Sequence, residues 1–175
     1  MTISTERLEE YRTLRDETLK RVELHHQIVG AALVLAGTML SIGSDSERAT
    51  ILFVYPLLAT FLASGLISNG LMLIQIGAYI RKIEETNEGF RNGWATSLDP
   101  QYSGIWRLEK WSILGLFVGT DVLAIGVGLI ATKLQLDPIN LVLVAAAIVA
   151  TIITAAVVQY PHTYHRELRK RDTAR

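Results

Sequence analysis

Asp121 is an ionisable side chain inside a stretch that otherwise carries no charge, from Trp111 to Thr132. Counted from Trp111 at helical rise, it lies about 15 Å along the segment, which is close to the middle of a bilayer. A carboxylate at that depth is costly when it remains charged, and intramembrane carboxylates often mark ion or proton pathways. Asp121 is therefore the first candidate for chemistry in this chain.

Partners for Asp121 have to be hydroxyl groups, because no Lys, Arg or His lies within the predicted membrane spans. Hydroxyl groups at a similar predicted depth occur in five residues: Thr38, Thr60, Ser64, Thr151 and Thr154. Three interpretations are open. A protonated Asp121 could bond a hydroxyl and hold helices together, it could line a wet cavity that binds a cation or relays protons, or it could meet its own copies around an oligomer axis.

The four histidines are predicted at one membrane face. His25 and His26 precede the first span, while His162 and His165 follow the fourth. His162 and His165 are about one helical turn apart, a spacing that suits two metal ligands. Titration near neutral pH would instead make the group a pH-responsive patch. Ordinary interfacial histidines are the simpler interpretation, and we expect no bound metal.

Composition and motifs exclude several functions. The chain has no cysteine, and therefore no disulfide framework and no thiol nucleophile. It contains no nucleophile–base arrangement, no phosphate-binding glycine loop and no HExxH motif. Its formal net charge is zero, whereas nucleic-acid-binding proteins usually present a basic face. We expect no enzymatic activity, no cofactor and no nucleic-acid partner.

Long uncharged segments indicate a protein of the lipid bilayer, since about 20 apolar residues cross the hydrocarbon layer. Apart from Asp121, no charge occurs in four segments: Gln27–Ser44, Ala49–Ile80, Trp111–Thr132 and Pro138–His165. Of the 17 basic residues, all except Arg48 and Lys133 lie in the N-terminal tail, the middle loop or the C-terminal tail. The positive-inside rule then places both termini in the cytoplasm. We predict an all-α protein of the inner (cytoplasmic) membrane with four transmembrane helices.

Five consecutive parts are predicted along the chain. They are a cytosolic N-terminal helix (1–25), a first transmembrane hairpin (26–85), a cytosolic or interfacial loop (86–110), a second transmembrane hairpin (111–160) and a basic cytosolic tail (161–175). The second span should begin near Thr50, and its apolar pattern continues to Ile83, beyond the expected membrane boundary. We therefore expect its inner end to pack on the N-terminal helix. These segments, 5–25 and 71–85, form a predicted cytosolic stalk that could dock a protein partner.

A stripe of small residues marks the third span. Gly115, Gly119 and Gly126 share this stripe with Val122. Glycines let helix backbones approach closely, and so the stripe predicts a helix-packing surface. Asp121 points about 140° away from it, which gives the helix two faces that need partners. One face would be served within the subunit and the other between subunits, which favours a homo-oligomer.

Two runs, Glu10–Arg21 and Leu73–Arg81, together with Gly93–Trp94, resemble a group of small prokaryotic integral membrane proteins that have no assigned activity. The resemblance covers residues 1–95. It implies a prokaryotic membrane protein with an N-terminal cytosolic helix, and it supplies no site residues. In architecture alone, the chain is also similar to small multi-span membrane proteins of anti-phage systems.

Together these features predict a non-enzymatic, oligomeric membrane protein that couples a cytosolic partner, docked on the stalk, to a transmembrane bundle. A small cation or proton channel built around Asp121 is the first alternative. An accessory or structural subunit of a larger membrane complex, such as a defence system, is the second.

Overall fold

The computed structural model describes the backbone of residues 5–45, 48–86, 103–133 and 137–172, and the side chains of these ranges except 103–110 and 160–172. Four long α-helices and a short 3-10 helix make up this part of the chain, which contains no β-strand. The elements are α1 (Thr5–Gly43), the 3-10 helix (Ala49–Phe53), α2 (Tyr55–Thr86), α3 (Ser103–Ala131) and α4 (Pro138–Asp172). The predicted all-α class is confirmed.

Four helical segments among the described residues are long and apolar enough to cross a membrane. They lie within Thr5–Gly43, Ala49–Thr86, Trp111–Ala131 and Pro138–Gln159. A helix suits this role because its backbone hydrogen bonds are satisfied within the segment itself. By length and composition, these four candidate spans indicate a multi-pass membrane protein.

The chain divides into two compact units. The hairpin unit consists of Met1–Gln27 and Ser68–Leu108, and the bundle unit consists of Ile28–Ile67 and Glu109–Arg175. Helices α1 and α2 each contribute residues to both units. Both predicted stalk segments belong to the hairpin unit.

Small side chains form much of the core in the bundle unit. The buried residues of this core are Ala32 and Ala36 on α1, Tyr55, Ala59, Ala63 and Leu66 on α2, and Phe117 and Ala124 on α3. In lipid, helices associate through close packing, and alanine permits the close approach of two backbones. Large side chains such as Phe61 and Ile130 lie exposed on the outside. Side-chain size therefore selects the faces that meet.

The second candidate span begins at Ala49, next to the predicted Thr50, but its first residues are not α-helical, because α2 starts at Tyr55. Residues Ala49–Phe53 form the 3-10 helix instead, and Phe53 is fully buried. Pro56 explains the boundary: it has no N–H to donate, and its ring would clash with an α-helical carbonyl four residues earlier. In the first turn of α2, the missing N–H costs little.

The predicted limit of one other segment needs correction. The loop predicted over 86–110 is too long, since α3 begins at Ser103, while residues 87–102 lie outside the described ranges. The fourth candidate span ends at Gln159, next to the predicted residue 160, and helix α4 continues beyond it through Pro161 to Asp172. Arg, Lys, Glu and Leu dominate the sequence after residue 165, and these strong helix formers favour its continuation.

A polar cap begins α4. The N–H of Asn140 donates to Oδ1 of Asp137 at 3.2 Å, and Pro138 is the first helical residue. This arrangement uses the two residue types that helix starts favour, an acceptor before the helix and a proline at its first position. Thr50 donates to Oδ1 of Asn140 at 3.0 Å. The cap therefore also ties the 3-10 helix to α4.

Helices α1 and α2 are antiparallel in the hairpin unit. Tyr11 and Ile80 are the buried residues of its core. Elsewhere in the unit, Nδ2 of Asn69 donates to the backbone carbonyl of Arg21 at 2.8 Å. Residue numbers thus rise along α1 as they fall along α2. This packing confirms the prediction that the end of the second helix lies against the N-terminal helix.

The substitution Gly128→Ala tests the packing of α3 on the 3-10 helix. A Cβ atom at this position would lie 2.7 Å from Cε1 of the buried Phe53. We expect overpacking to lower the free energy of unfolding by about 1–3 kcal/mol, measured by chemical unfolding in detergent. Gly65→Ala on α2 is the matched control, since no described atom lies within 4 Å of its added Cβ. Equal stability of the two variants would contradict this packing.

Candidate functional site

Asp121 lies on α3 in the bundle unit, and its side chain is 0% exposed. Neither of its carboxyl oxygens accepts a hydrogen bond from a described residue. The burial of this side chain within one chain favours the two interpretations in which Asp121 acts inside the protomer. The interpretation in which it meets its own copies around an oligomer axis stays a prediction.

The polar neighbours of Asp121 come from two other helices and from its own. The Thr151 hydroxyl on α4 lies within hydrogen-bonding reach of the carboxyl, and the Tyr55 phenol on α2 interacts with it electrostatically. Tyr55 is hydrogen-bonded to Thr120, with 2.8 Å between the two hydroxyl oxygens. Since Thr120 immediately precedes Asp121, these four residues form one polar cluster that joins α2, α3 and α4.

The hydroxyl protons of this polar cluster are directed at other acceptors. Thr151 and Thr120 each donate to the backbone carbonyl four residues earlier, at 2.9 Å and 2.5 Å respectively. A hydroxyl has one proton and two lone pairs, and so Tyr55 has to donate the bond that it shares with Thr120. Within these bonds, each of the three hydroxyls has only lone pairs left to offer a further neighbour.

A second pair of hydroxyls joins α2 to α4. The oxygens of Thr60 and Thr154 are 2.8 Å apart. Thr60 donates to the carbonyl of Pro56 at 2.8 Å, which leaves Thr154 as the donor to Thr60. Both threonines were expected near Asp121 in depth. The structure places them in the bundle unit, but Thr154 donates its proton to Thr60 and Thr60 donates its own to the backbone, so neither proton goes to the carboxyl.

Thr38 and Ser64 are not partners of Asp121. Both side chains are exposed, and the Ser64 hydroxyl donates to the carbonyl of Thr60 at 2.8 Å. Helical spacing explains the error. Thr38 is two residues from the buried Ala36, and Ser64 is one residue from the buried Ala63, so each points away from the face that packs. Depth along a helix was predicted without regard to its rotation.

The glycine stripe on α3 does not pack within the described part of the protomer. No described atom lies within 4 Å of a Cβ added at Gly115, Gly119 or Gly126, and Val122 is 59% exposed. Packing of this stripe, within the subunit or between subunits, therefore stays a prediction. Among the described glycines of α3, Gly128 packs against Phe53, a contact that sequence reasoning missed.

The predicted histidine group is described only in part. The rings of His25 and His26 are 6.1 Å apart and nearly perpendicular, at 84°. The side chains of His162 and His165 lie outside the described residues. Among the side chains that the structure describes, no group of three or more His, Asp or Glu residues could hold a metal ion. A pH-responsive or metal-binding histidine patch stays a prediction.

A second buried carboxyl, Glu84, lies in the hairpin unit and is also 0% exposed. The Tyr11 phenol donates to its Oε1 at 2.9 Å, across 73 residues of sequence. Tyr79 makes a similar but exposed bond to Glu10, at 2.8 Å. The buried bond gives the antiparallel packing of α1 and α2 a specific register.

Sequence reasoning missed both Glu84 and Asn69 as positioning residues. A signal was present for Glu84, because Ile76, Ile80 and Glu84 are four residues apart and so share one face of α2. An acidic residue that continues an apolar stripe is expected to be buried with a donor. Asn69 follows a serine at the predicted membrane boundary, and nothing in its local sequence indicates the contact with α1.

Comparison of the chain with protein-family models, with curated proteins and with solved structures finds no match. The site is therefore interpreted from its own geometry.

The substitution Tyr11→Phe tests the buried bond of the hairpin unit. It removes a donor from a carboxyl that has no access to water, and we expect a loss of about 1–3 kcal/mol in the stability of the hairpin. Hydrogen–deuterium exchange of α1 and α2 would measure this loss. Tyr79→Phe is the matched control, because it removes an equivalent but exposed bond and should cost less than about 0.5 kcal/mol. Similar effects of the two variants would refute the special role of the buried pair.

Proposed function

We propose that this chain is a non-enzymatic, oligomeric integral membrane protein that couples a cytosolic protein partner to a transmembrane bundle. In this proposal the protein crosses the cytoplasmic membrane of a prokaryote four times, with both termini in the cytoplasm. The hairpin unit forms the cytosolic stalk on which the partner docks.

The charge distribution supports this orientation. Basic residues other than Arg48 and Lys133 occur in the segments assigned to the cytoplasm. Lys and Arg close to span ends set orientation through the positive-inside rule. Arg48 and Lys133 would then lie in the two short outer turns.

The buried bond between Tyr11 and Glu84 is the observation that carries the coupling function. Together with the bond from Asn69 to Arg21, it fixes α1 against α2 at two places in the hairpin unit. A hairpin held in this way moves as one body, because breaking a bond to a buried carboxyl is costly. Helix α1 runs from Thr5 to Gly43 and so contributes residues to both units.

An apolar groove supports docking on the hairpin unit. It has a volume of about 110 Å³ and is lined by Tyr11, Arg15, Thr18, Leu19 and Ile80. Leu19 is 68% exposed, although it lies in the charged part of the chain. The groove has room for a single anchoring side chain, which a cytosolic protein would insert beside Leu19.

The open glycine stripe supports oligomer formation. Four residues of α3 that suit close helix contact have no such contact within the described protomer. A second copy of the chain would supply the missing surface, since small residues permit helices to approach closely in lipid.

Ion or proton conduction is the second candidate function, and the burial of Asp121 favours it. An intramembrane carboxyl that has no hydrogen-bond donor is typical of ion and proton pathways. The carboxyl is closed off within one chain, so this candidate is a gated or carrier-like path rather than a permanently open pore.

Cysteine labelling tests the orientation, and the natural absence of cysteine makes the experiment direct. We expect a single cysteine at Ser44 to react with an impermeant maleimide in intact cells. A cysteine at Thr13 should react only after permeabilisation. Both positions are exposed, and so reversed labelling would reject the proposed orientation.

Site-specific photo-crosslinking tests the partner and the oligomer. A photo-reactive residue at Leu19 should give one discrete product with another protein, whereas Thr13, exposed but outside the groove, should not. At Val122 we expect a homodimer product, in contrast to Ile152 on α4, which is 63% exposed. Equal products from each test position and its control would reject the corresponding contact. A partner captured without any response to changes in the bundle would favour an accessory subunit.

A further inference from the structure

We infer that Asp121 and Thr151 form an occluded binding site for one small monovalent cation, either a proton or a sodium ion. The cation would be bound by oxygen lone pairs from α3 and α4. This inference rests on the second candidate function, ion or proton conduction. Because a cation can bind without being conducted, the binding site and the conduction can be rejected by separate experiments.

The first argument is the missing donor. Asp121 is fully buried, and its two oxygens accept no hydrogen bond from the described residues. Buried polar groups in proteins nearly always have partners, and an exception needs a physical explanation. The carboxyl of Glu84, buried to the same extent, receives the Tyr11 hydroxyl. Burial alone therefore does not leave a carboxyl without a donor in this protein.

The second argument is the direction of the neighbouring hydroxyl protons. Thr151 could donate to Asp121, but its proton is directed at the backbone carbonyl of Ala147 at 2.9 Å. Tyr55 donates its proton to Thr120, and Thr120 donates its own proton to the carbonyl of Leu116. Lone pairs facing a carboxylate would repel it. A positive charge between Asp121 and Thr151 converts that repulsion into attraction.

The third argument is charge balance. No Lys or Arg lies within the predicted membrane spans, and so an ionised Asp121 has no counter-charge at its own depth in the sequence. Desolvating an unpaired carboxylate is among the most costly events in a membrane. A single monovalent cation balances the one negative charge of the Asp121 carboxylate. A divalent ion would leave an excess positive charge and prefers more carboxylate ligands than Asp121 alone supplies.

Sodium-dependent unfolding tests the site. Thermal unfolding of the detergent-solubilised full chain would be followed in sodium chloride and in choline chloride at equal ionic strength. A ligand of the folded state raises the unfolding temperature progressively above its dissociation constant. We expect sodium to do so for the wild type and for Thr151→Ser, which keeps the hydroxyl. Asp121→Asn should abolish the shift, and Thr151→Val, which keeps the side-chain shape, should weaken it.

Carbodiimide labelling separates the proton from the sodium ion. Dicyclohexylcarbodiimide partitions into lipid and modifies protonated carboxyls, and mass spectrometry of the intact chain reports the adduct. Labelling of Asp121 that sodium suppresses identifies a sodium site. If the extent of labelling is the same with and without sodium but declines as the pH rises, the site binds a proton. The inference is overturned if sodium has no effect on unfolding and Asp121 is either unlabelled or labelled equally at every pH.

Discussion

The lone buried carboxyl of Asp121 is the constraint on which the bundle unit depends. It has no basic partner in the spans, and the hydroxyls around it are already donating to backbone carbonyls or to each other. Three helices contribute to this environment, α2 through Tyr55, α3 through Thr120 and α4 through Thr151. This excess of acceptors over donors around a buried carboxyl is the basis of the cation site proposed above. A bundle built only for stability would place an apolar side chain at this position, because an unsatisfied polar group in hydrocarbon opposes folding.

The hairpin unit also contains a fully buried carboxyl, but this carboxyl has a hydrogen-bond donor. Glu84 is buried as completely as Asp121, but it receives the hydroxyl of Tyr11 at 2.9 Å. A satisfied buried carboxyl fixes the register of two helices, since every alternative arrangement loses the bond. The two carboxyls thus suit different roles in the proposed function. Glu84 would hold together the hairpin on which a partner docks, and Asp121 would be the group that binds a cation.

Sequence patterns predicted the helices well and their rotation poorly. Uncharged segment length indicated four candidate spans, because membrane thickness sets a minimum number of apolar residues. The same patterns could not tell that Thr38 and Ser64 are exposed while Thr154 is buried, since this depends on which alanine faces of α1, α2 and α3 meet. The 3-10 helix before α2 was missed although Pro56 signalled a break. Gly128 was missed because its contact, Phe53, is distant in the sequence.

Infrared difference spectroscopy of Asp121 in lipid bilayers tests the central claim most directly. Spectra of the wild type minus Asp121→Asn would isolate the bands of this carboxyl, and they would be recorded in sodium and in choline, over a range of pH. The account predicts a carboxyl band that changes when sodium replaces choline or when the pH changes, since Asp121 exchanges a bound cation. A band that is identical under all these conditions would show that Asp121 only holds the helices together.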